Sequence, residues 1–284
     1  MEATLKRKKI NIKKDKIAIY FMLAVLSLIM AYPLFCILNI SIKSNGAALK
    51  EPLRLTVFNE MQLENFSTVW KRMDVPAKIW NSLWMTIVSC TINILISVFA
   101  AFPISRNYFK GSGKAYVLIL LSMFLPGSLV AMIYIMQNVI GVYGTPLSLI
   151  LLWGFGGTQL NIFMIVGFLK QLPKELDEAA FIDGCGYTKY VVAIAMPLMV
   201  PIISTLFTFK AIGCWNDFLN PMIFLRGNVF RPLSTGLYFY LDGLTSRWNM
   251  FSAAIIVVAA PMVILYVAMQ KYIIEGMVSG ALKG

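Results

Sequence analysis

Long apolar runs are the main feature of this 284-residue chain. A helix needs about 20 predominantly apolar residues to cross a bilayer. Stretches without lysine, arginine, aspartate or glutamate cover residues 17–42, 79–105, 115–169 and 248–270. The third stretch is long enough for two helices, and the glycines and proline in its middle indicate a turn. A further apolar segment, 199–222, contains two charged residues, Lys210 and Asp217.

This pattern predicts an all-α membrane protein with six transmembrane helices. The spans are predicted at about 17–42, 79–105, 115–137, 148–169, 199–222 and 248–270. Residues 1–16 are a basic tail, and residues 17–284 are predicted to form a single transmembrane domain. The first apolar run is longer than the roughly 7–15 residues of a signal-peptide core and has no evident cleavage site, so it is interpreted as the first span.

The composition indicates a membrane protein and argues against several kinds of catalytic and metal site. Charged residues make up 13% of the chain and hydrophobic residues 59%, whereas a soluble domain carries roughly 25% charged residues. Because the chain has no histidine, it has no imidazole base and no histidine-ligated metal. The four cysteines are far apart and form no CxxC pair, so neither a disulfide framework nor a zinc site is expected. We predict no catalytic residues and no metal site.

The net charge of +12 is explained by where the basic residues lie. Short cytoplasmic loops retain lysine and arginine. With the amino terminus inside, the inner segments hold fifteen basic residues; the outer segments hold six before the second span, none between the third and fourth, and three before the sixth. Both termini are therefore predicted to be cytoplasmic. The charge is a topology signal, and no nucleic-acid partner is expected.

The inner segment between the fourth and fifth spans, residues 171–197, is the most acidic inner segment. A short helix is predicted after Pro173, because the carboxylates that follow suit the positive end of a helix dipole. Gly184 supplies a sharp exit, and residues 187–195 can form a second short helix. Such a helix-turn-helix can insert into a groove on another protein, and an ordinary interhelical loop is the alternative.

A motif in this segment makes a family resemblance specific. Glu178, Ala179 and Ala180 are followed by three residues, a glycine, nine residues, Ile194, one residue and Met196-Pro197. This order resembles the EAA loop of ABC importer permeases, with methionine at 196 where leucine is usual. Residues 172–184 and the final residues 275–284 are similar to those of the carbohydrate-uptake subfamily, in particular the maltose-type second permease. Further likeness extends over most of the chain, from about residues 81–82 through 106–111, Pro126 and 215–218 to this tail.

The resemblance implies a multi-pass permease of the bacterial cytoplasmic membrane with several partners. These are a second, homologous permease, two ATPase subunits and an extracellular solute-binding protein. The residues implied to couple the chain to the ATPase are Glu178, Ala179, Ala180, Asp183 and Gly184, together with Gly284 at the end of the chain. ATP and Mg are expected on the ATPase, with no cofactor in this chain.

The sequence itself is consistent with an external source of energy. A phosphate loop requires the pattern GxxxxGK[ST], which is absent. The run from Gly111 to Lys114 is followed by alanine and lacks the first glycine at the required spacing. It is interpreted as a short basic inner loop.

Lys210 and Asp217 are candidates for the substrate path because charges at membrane depth are costly. They lie two helical turns apart and so face one side, with Cys214 between them. Trp215, Asn216 and Asp217 resemble a family segment in which an indole and polar groups suit a sugar. A structural pair, a snorkelling lysine or an interfacial aromatic belt are the alternatives. Lys210 stands where the family usually has an apolar residue, and we hypothesise that it favours a carboxylate-bearing sugar.

The leading hypothesis is a permease subunit of a binding-protein-dependent ABC importer for a sugar or oligosaccharide. The same architecture importing a polyol or glycerol phosphate is one alternative. A secondary transporter is another, but such proteins need a coupling-ion site and often show inverted repeats. The sequence shows neither apart from Lys210 and Asp217.

Overall fold

The computed structural model describes residues 12–125, 127–241 and 247–281. Within these ranges the chain is almost entirely helical, and an isolated parallel β-bridge joins Gly144 to Leu225. The helices are α1 (Ile12–Ser41), α2 (Asn45–Lys50), α3 (Glu64–Arg72), α4 (Val75–Ser105), α5 (Ser112–Leu121), α6 (Leu129–Tyr134), α7 (Pro146–Phe155), α8 (Thr158–Leu169), α9 (Glu175–Ile182), α10 (Tyr187–Tyr190), α11 (Met196–Leu198), α12 (Val200–Asn216), α13 (Leu219–Phe224), α14 (Tyr238–Leu241) and α15 (Trp248–Ala281).

The chain forms two compact units. The first comprises Met1–Trp70 and Tyr240–Val257. In this unit the connection after α1 is held by Lys43, which is 3% exposed and whose Nζ donates to the carbonyls of Glu51, Pro52 and Arg54. A buried lysine whose donors are satisfied by backbone oxygens fixes the path of an otherwise irregular segment.

The second unit comprises Lys71–Phe239 and Val258–Gly284 and is organised around α4. This helix packs against α7, α8 and α12. One apolar cluster lies along it towards the residue-105 end, including Val98, Phe102 and Leu169. A second cluster, including Met85, Cys90 and Trp153, lies nearer its start. Because α4 contributes to both clusters, it is the central helix of this unit.

Three helical segments are each long and apolar enough to cross a bilayer: Ile19–Ser41, Val75–Ser105 and Pro146–Leu169. Two bent pairs add further candidates: Ser112–Phe124 with Leu129–Val139, and Tyr187–Leu198 with Val200–Asn216, the latter bent by 84°. Trp248–Ile264, within α15, is a shorter apolar helix. Apart from Tyr187–Leu198, which lies almost entirely in the predicted loop 171–197, these segments overlap the six predicted spans. The prediction of an all-helical chain is confirmed. A count of six crossings and the cytoplasmic position of the termini stay predictions.

Three of the predicted spans are interrupted. The predicted span 115–137 is divided between α5 and α6, and the predicted span 148–169 is divided between α7 and α8. The second break occurs at Gly157, whose φ of +75° is a conformation that glycine adopts readily. The predicted span 199–222 is interrupted after Asn216, where Asp217 leaves the helical conformation with ψ of 113°.

Candidate functional site

The acidic segment forms the predicted short helix, α9. It begins at Glu175, two residues beyond Pro173, with Glu175, Asp177 and Glu178 in its first turn. Carboxylates are favourable there because the free backbone N–H groups make that end positive. The chain turns at Gly184, whose φ is +74°. The second predicted helix is present as α10, followed by a wider π-helical turn over Val191–Ala195.

The helix α9 has two different faces. Glu178, Ala179 and Ile182 are exposed, and Ile182 reaches 85% exposure. Asp177 and Ala180 are buried at 5% and 8% exposure. The two alanines of the motif therefore differ in burial: Ala179 is accessible, whereas Ala180 packs into the apolar cluster of the second unit.

An ion pair anchors the buried face of α9. Nε of Arg106, the residue that ends α4, lies 2.5 Å from Oδ2 of Asp177, and the two side chains are 4% and 8% exposed. Nη2 of Arg106 also donates to Oδ1 at 3.3 Å, and Nη1 donates to the carbonyl of Leu172 at 3.3 Å. The hydroxyl of Tyr190 donates to Oδ1 of Asp177 as well. The carboxylate thus joins α4, α9 and α10.

Aromatic rings surround this ion pair. The Tyr190 ring centroid lies 5.1 Å from that of Phe102 and 5.4 Å from that of Phe181. Tyr108 packs edge-on to Phe102 at 5.4 Å. Desolvation raises the pKa of Tyr108, and the nearby Asp177 carboxylate adds a smaller increase. The rings exclude water, which strengthens the interaction between the two charges.

The candidate substrate residues line a cavity of about 530 Å³ in the second unit. Its lining includes four of the five predicted residues, Lys210, Cys214, Asn216 and Asp217, together with Trp153 and Asn220. Lys210 and Asp217 therefore both line one cavity, and their role in a substrate path stays a prediction. A mostly apolar cavity of about 470 Å³ shares Leu152 and Gly156 with it.

Lys210 lies at the break between α7 and α8. Its Nζ donates to the carbonyl of Gly156 at 2.8 Å. The amide of Asn93 on α4 donates to the same carbonyl at 3.0 Å and to that of Gly154 at 2.9 Å. Asn161 in turn donates to Oδ1 of Asn93. Carbonyls released by a broken helix need such partners in a bilayer, where water does not supply them.

Asp217 is held by a separate set of hydrogen bonds. Nε1 of Trp153 donates to Oδ2 at 2.7 Å. The backbone N–H of Asn220 donates to Oδ1 at 3.1 Å, and its side-chain amide donates to Oδ2 at 2.7 Å. In the part of the chain that the structure describes, the ion pairs involve other residues, so Lys210 and Asp217 do not neutralise each other.

The remaining substrate-path candidate, Trp215, lies away from the cavity. Trp215 is 6% exposed and is not part of the cavity lining. The indole at the cavity is Trp153, which sequence reasoning missed. Arg106 was also missed as a partner of Asp177, although it lies in a segment with family likeness. Gly284 lies outside the described residues.

Comparison with protein families is decisive. Residues 93–278 match the family model described as binding-protein-dependent transport system inner membrane component. The chain belongs to this family. The permease is thus a membrane component of an ABC importer, which confirms the resemblance seen in the EAA-like segment.

Similar proteins agree with this assignment. The permease is 31% identical over 98% of its length to a probable ABC transporter permease, YurM, of Bacillus subtilis, covering 91% of that protein. It is 29% identical over 89% of its length to the melibiose/raffinose/stachyose import permease MelC of the same organism, covering 91% of it. It is also 29% identical to the trehalose/maltose permease MalG of Thermococcus litoralis, with coverage of 91% and 94%.

A solved structure has the same fold. It is a chain from the crystal structure of a bacterial ABC transporter involved in the import of the acidic polysaccharide alginate. The TM-score is 0.81 with 19% sequence identity, and the match covers 95% of this chain and 99% of the other. At that identity the likeness shows the shared fold.

Proposed function

We propose that this permease imports a sugar or oligosaccharide across the bacterial cytoplasmic membrane, as one of two permease subunits. A solute-binding protein delivers the substrate outside, and two ATPase subunits bind ATP and Mg inside. The observation that carries the proposal is family membership together with the names of relatives, which include permeases for melibiose, raffinose, stachyose, trehalose and maltose. The distribution of basic residues supports six spans with both termini inside.

The substrate class is tested with the assembled importer. Reconstituted with its second permease, ATPases and binding protein, the complex should increase ATP hydrolysis when an oligosaccharide is added. Polyols and glycerol phosphate serve as competing candidates in the same assay. A response to one of these, with none to any saccharide, would replace the sugar assignment while keeping the importer architecture.

The exposed face of α9 is the proposed contact with the ATPase. It combines a carboxylate, Glu178, with the small Ala179 and the apolar Ile182, all accessible. Asp183 and Gly184 at the end of the helix are also exposed.

Glu178→Lys tests this contact. A positive charge in place of the carboxylate at the centre of the exposed face should release the ATPase. A charge that meets a charge of the same sign across an interface lowers the affinity. Co-purification of the ATPase with a tagged permease measures the result. Glu64→Lys, the same change at another exposed glutamate, should retain the ATPase. Full retention by the Glu178 variant, with full ATP-dependent uptake, would contradict the coupling role.

The cavity beside α12 is the proposed part of the substrate path, and Lys210 gives it a preference for an acidic sugar. An ammonium group has three N–H donors, and the bond to the Gly156 carbonyl uses one of them. A substrate carboxylate could accept from the others. Support for an anionic substrate in this fold comes from the solved transporter, which is involved in alginate import.

Lys210→Met tests the preference. The variant should lose about tenfold in apparent affinity for uronate-containing oligosaccharides, equal to about 1.4 kcal/mol, with little change for neutral ones. Substrate-stimulated ATP hydrolysis over a concentration series measures both. Lys114→Met, at an exposed inner lysine, is the control. Equal loss for both sugar types would assign Lys210 a purely structural role at Gly156, and no loss for either would also overturn the proposal.

A further inference from the structure

The helix α9, proposed to couple the permease to the ATPase, is bound to the end of α4 as well as to the segments next to it in sequence. Arg106 ends α4, and its guanidinium contacts Asp177 in the first turn of α9 and the carbonyl of Leu172 just before α9. Tyr190 of α10 binds the same carboxylate. We call Arg106, Asp177 and Tyr190 the clamp. None of these residues belongs to the exposed face proposed to contact the ATPase.

We propose that the clamp makes α9 a rigid extension of α4, so that movement imposed on α9 by the ATPase is delivered directly to the central helix of the second unit. Arg106 and Asp177 are positioning residues in this scheme. The inference rests on the proposed coupling role of α9. Without the clamp, α9 would be held only by its connections to α8 and α10 and by the packing of Ala180. It could then tilt when the ATPase moves it.

The geometry favours a stiff connection. Arg106 at the end of α4 and Tyr190 of α10 both contact the Asp177 carboxylate, and a guanidinium fork fixes direction as well as distance. The Arg106 and Asp177 side chains are 4% and 8% exposed, so solvent screens the interaction between their charges only weakly. Removal of one partner alone would leave a buried unpaired charge.

The clamp also connects α9 to the cavity. From Arg106, α4 runs to Asn93, which holds the carbonyls at the break between α7 and α8. The carbonyl of Gly156 is shared with Lys210 at the cavity. A displacement of α4 would therefore act on the broken helix that lines the proposed path. Packed helices with discrete hydrogen-bond partners transmit such movements.

The double variant Arg106→Met with Asp177→Asn tests the proposal. It removes both charges together, so no unpaired charge is buried, and asparagine still fits beside Tyr190. The ATPase should co-purify normally, whereas substrate transported per ATP hydrolysed should fall about tenfold, within the range typical of coupling between sites. Lys110→Met, at an exposed lysine of the same loop, should keep the wild-type ratio. An unchanged ratio in the double variant overturns the proposal.

A second measurement avoids dependence on folding of the variant. Spin labels at Glu175, an exposed α9 residue outside the proposed ATPase contact, and at Lys110, in a chain whose four cysteines are replaced by alanine, report the distance from α9 to the end of α4. In the wild-type clamp this distance should be the same in the nucleotide-free and ATP-bound complexes. A change of more than one helical turn, roughly 5 Å, would show that α9 moves independently and overturn the proposal. Failure of Glu178→Lys to release the ATPase would instead refute only the docking surface.

Discussion

At the scale of single residues, two glycines of the same turn differ in what they require. Gly184 has φ of +74°, and Gly186 has φ of −70°. An added Cβ would meet no atom within 4 Å at either position. The difference between them is therefore backbone conformation alone. Gly184 needs the left-handed region, which other L-residues enter at a cost of about 1 kcal/mol or more.

Gly184→Ala should accordingly lower stability by about 1 kcal/mol, which corresponds to a few degrees in the unfolding midpoint. Substrate-stimulated ATP hydrolysis should fall as well, because the chain would leave the end of α9 in a different direction. Gly186→Ala should leave both properties near wild type. Thermal unfolding of the purified complex and substrate-stimulated ATP hydrolysis measure the pair. Equal behaviour of the two variants would contradict the role assigned to the turn.

At the scale of elements, the helices near the cavity are broken where polar side chains replace helical hydrogen bonds. Asn93 of α4 is fully buried and binds two carbonyls at the end of α7 while accepting from Asn161. Asp217 performs a similar role between α12 and α13 by accepting from the N–H of Asn220. These breaks expose backbone and polar atoms to a cavity, which is where irregular backbone is tolerated in membrane proteins.

Asn93→Leu should destabilise the permease by about 2 kcal/mol, because it removes three interhelical hydrogen bonds at roughly 0.6 kcal/mol each. The partners left behind would be the carbonyls of Gly154 and Gly156 and the amide of Asn161. Thr91→Val is a suitable control, since the hydroxyl of exposed Thr91 binds only within its own helix, at Ile87. A thermal unfolding midpoint equal in the two variants would argue against a stabilising role for Asn93.

At the scale of the whole molecule, orientation in the membrane governs which surfaces meet which partners. The distribution of basic residues predicts that the α9 segment lies inside and the stretch before α4 outside. The proposed ATPase contact must lie inside, on the side opposite to the one where the binding protein delivers the substrate. Orientation is therefore the assumption on which the remaining proposals depend.

Cysteine labelling tests orientation directly. In a chain without its native cysteines, Glu51→Cys should react with a membrane-impermeant maleimide in right-side-out vesicles. Lys174→Cys should react only after the vesicles are opened. Both positions are exposed, so accessibility of the side chain does not limit the reaction. The opposite pattern would invert the assigned topology.

Much of the fold could be predicted because its signals are local. Apolar runs indicated where the helices lie, and the carboxylates and glycines around α9 indicated its two ends. Lys210 and Asp217, predicted to face one side, both line one cavity, while their role in a substrate path stays a prediction. The interruptions at Gly157 and Asp217 were missed, because an apolar run does not reveal that its hydrogen bonds are completed by residues far away in sequence.

The sequence by itself determined the membrane class, the helical architecture and the family, since hydrophobicity and a short motif are properties of neighbouring residues. Tertiary structure alone decided which residues pair. Arg106 and Asp177 are 71 positions apart, as loop charges they gave no sign of burial, and only packing of α9 against the end of α4 removes them from water. Trp153 joins the cavity in place of Trp215 for the same reason. Long-range contacts depend on how helices pack, and a one-dimensional pattern does not contain that information.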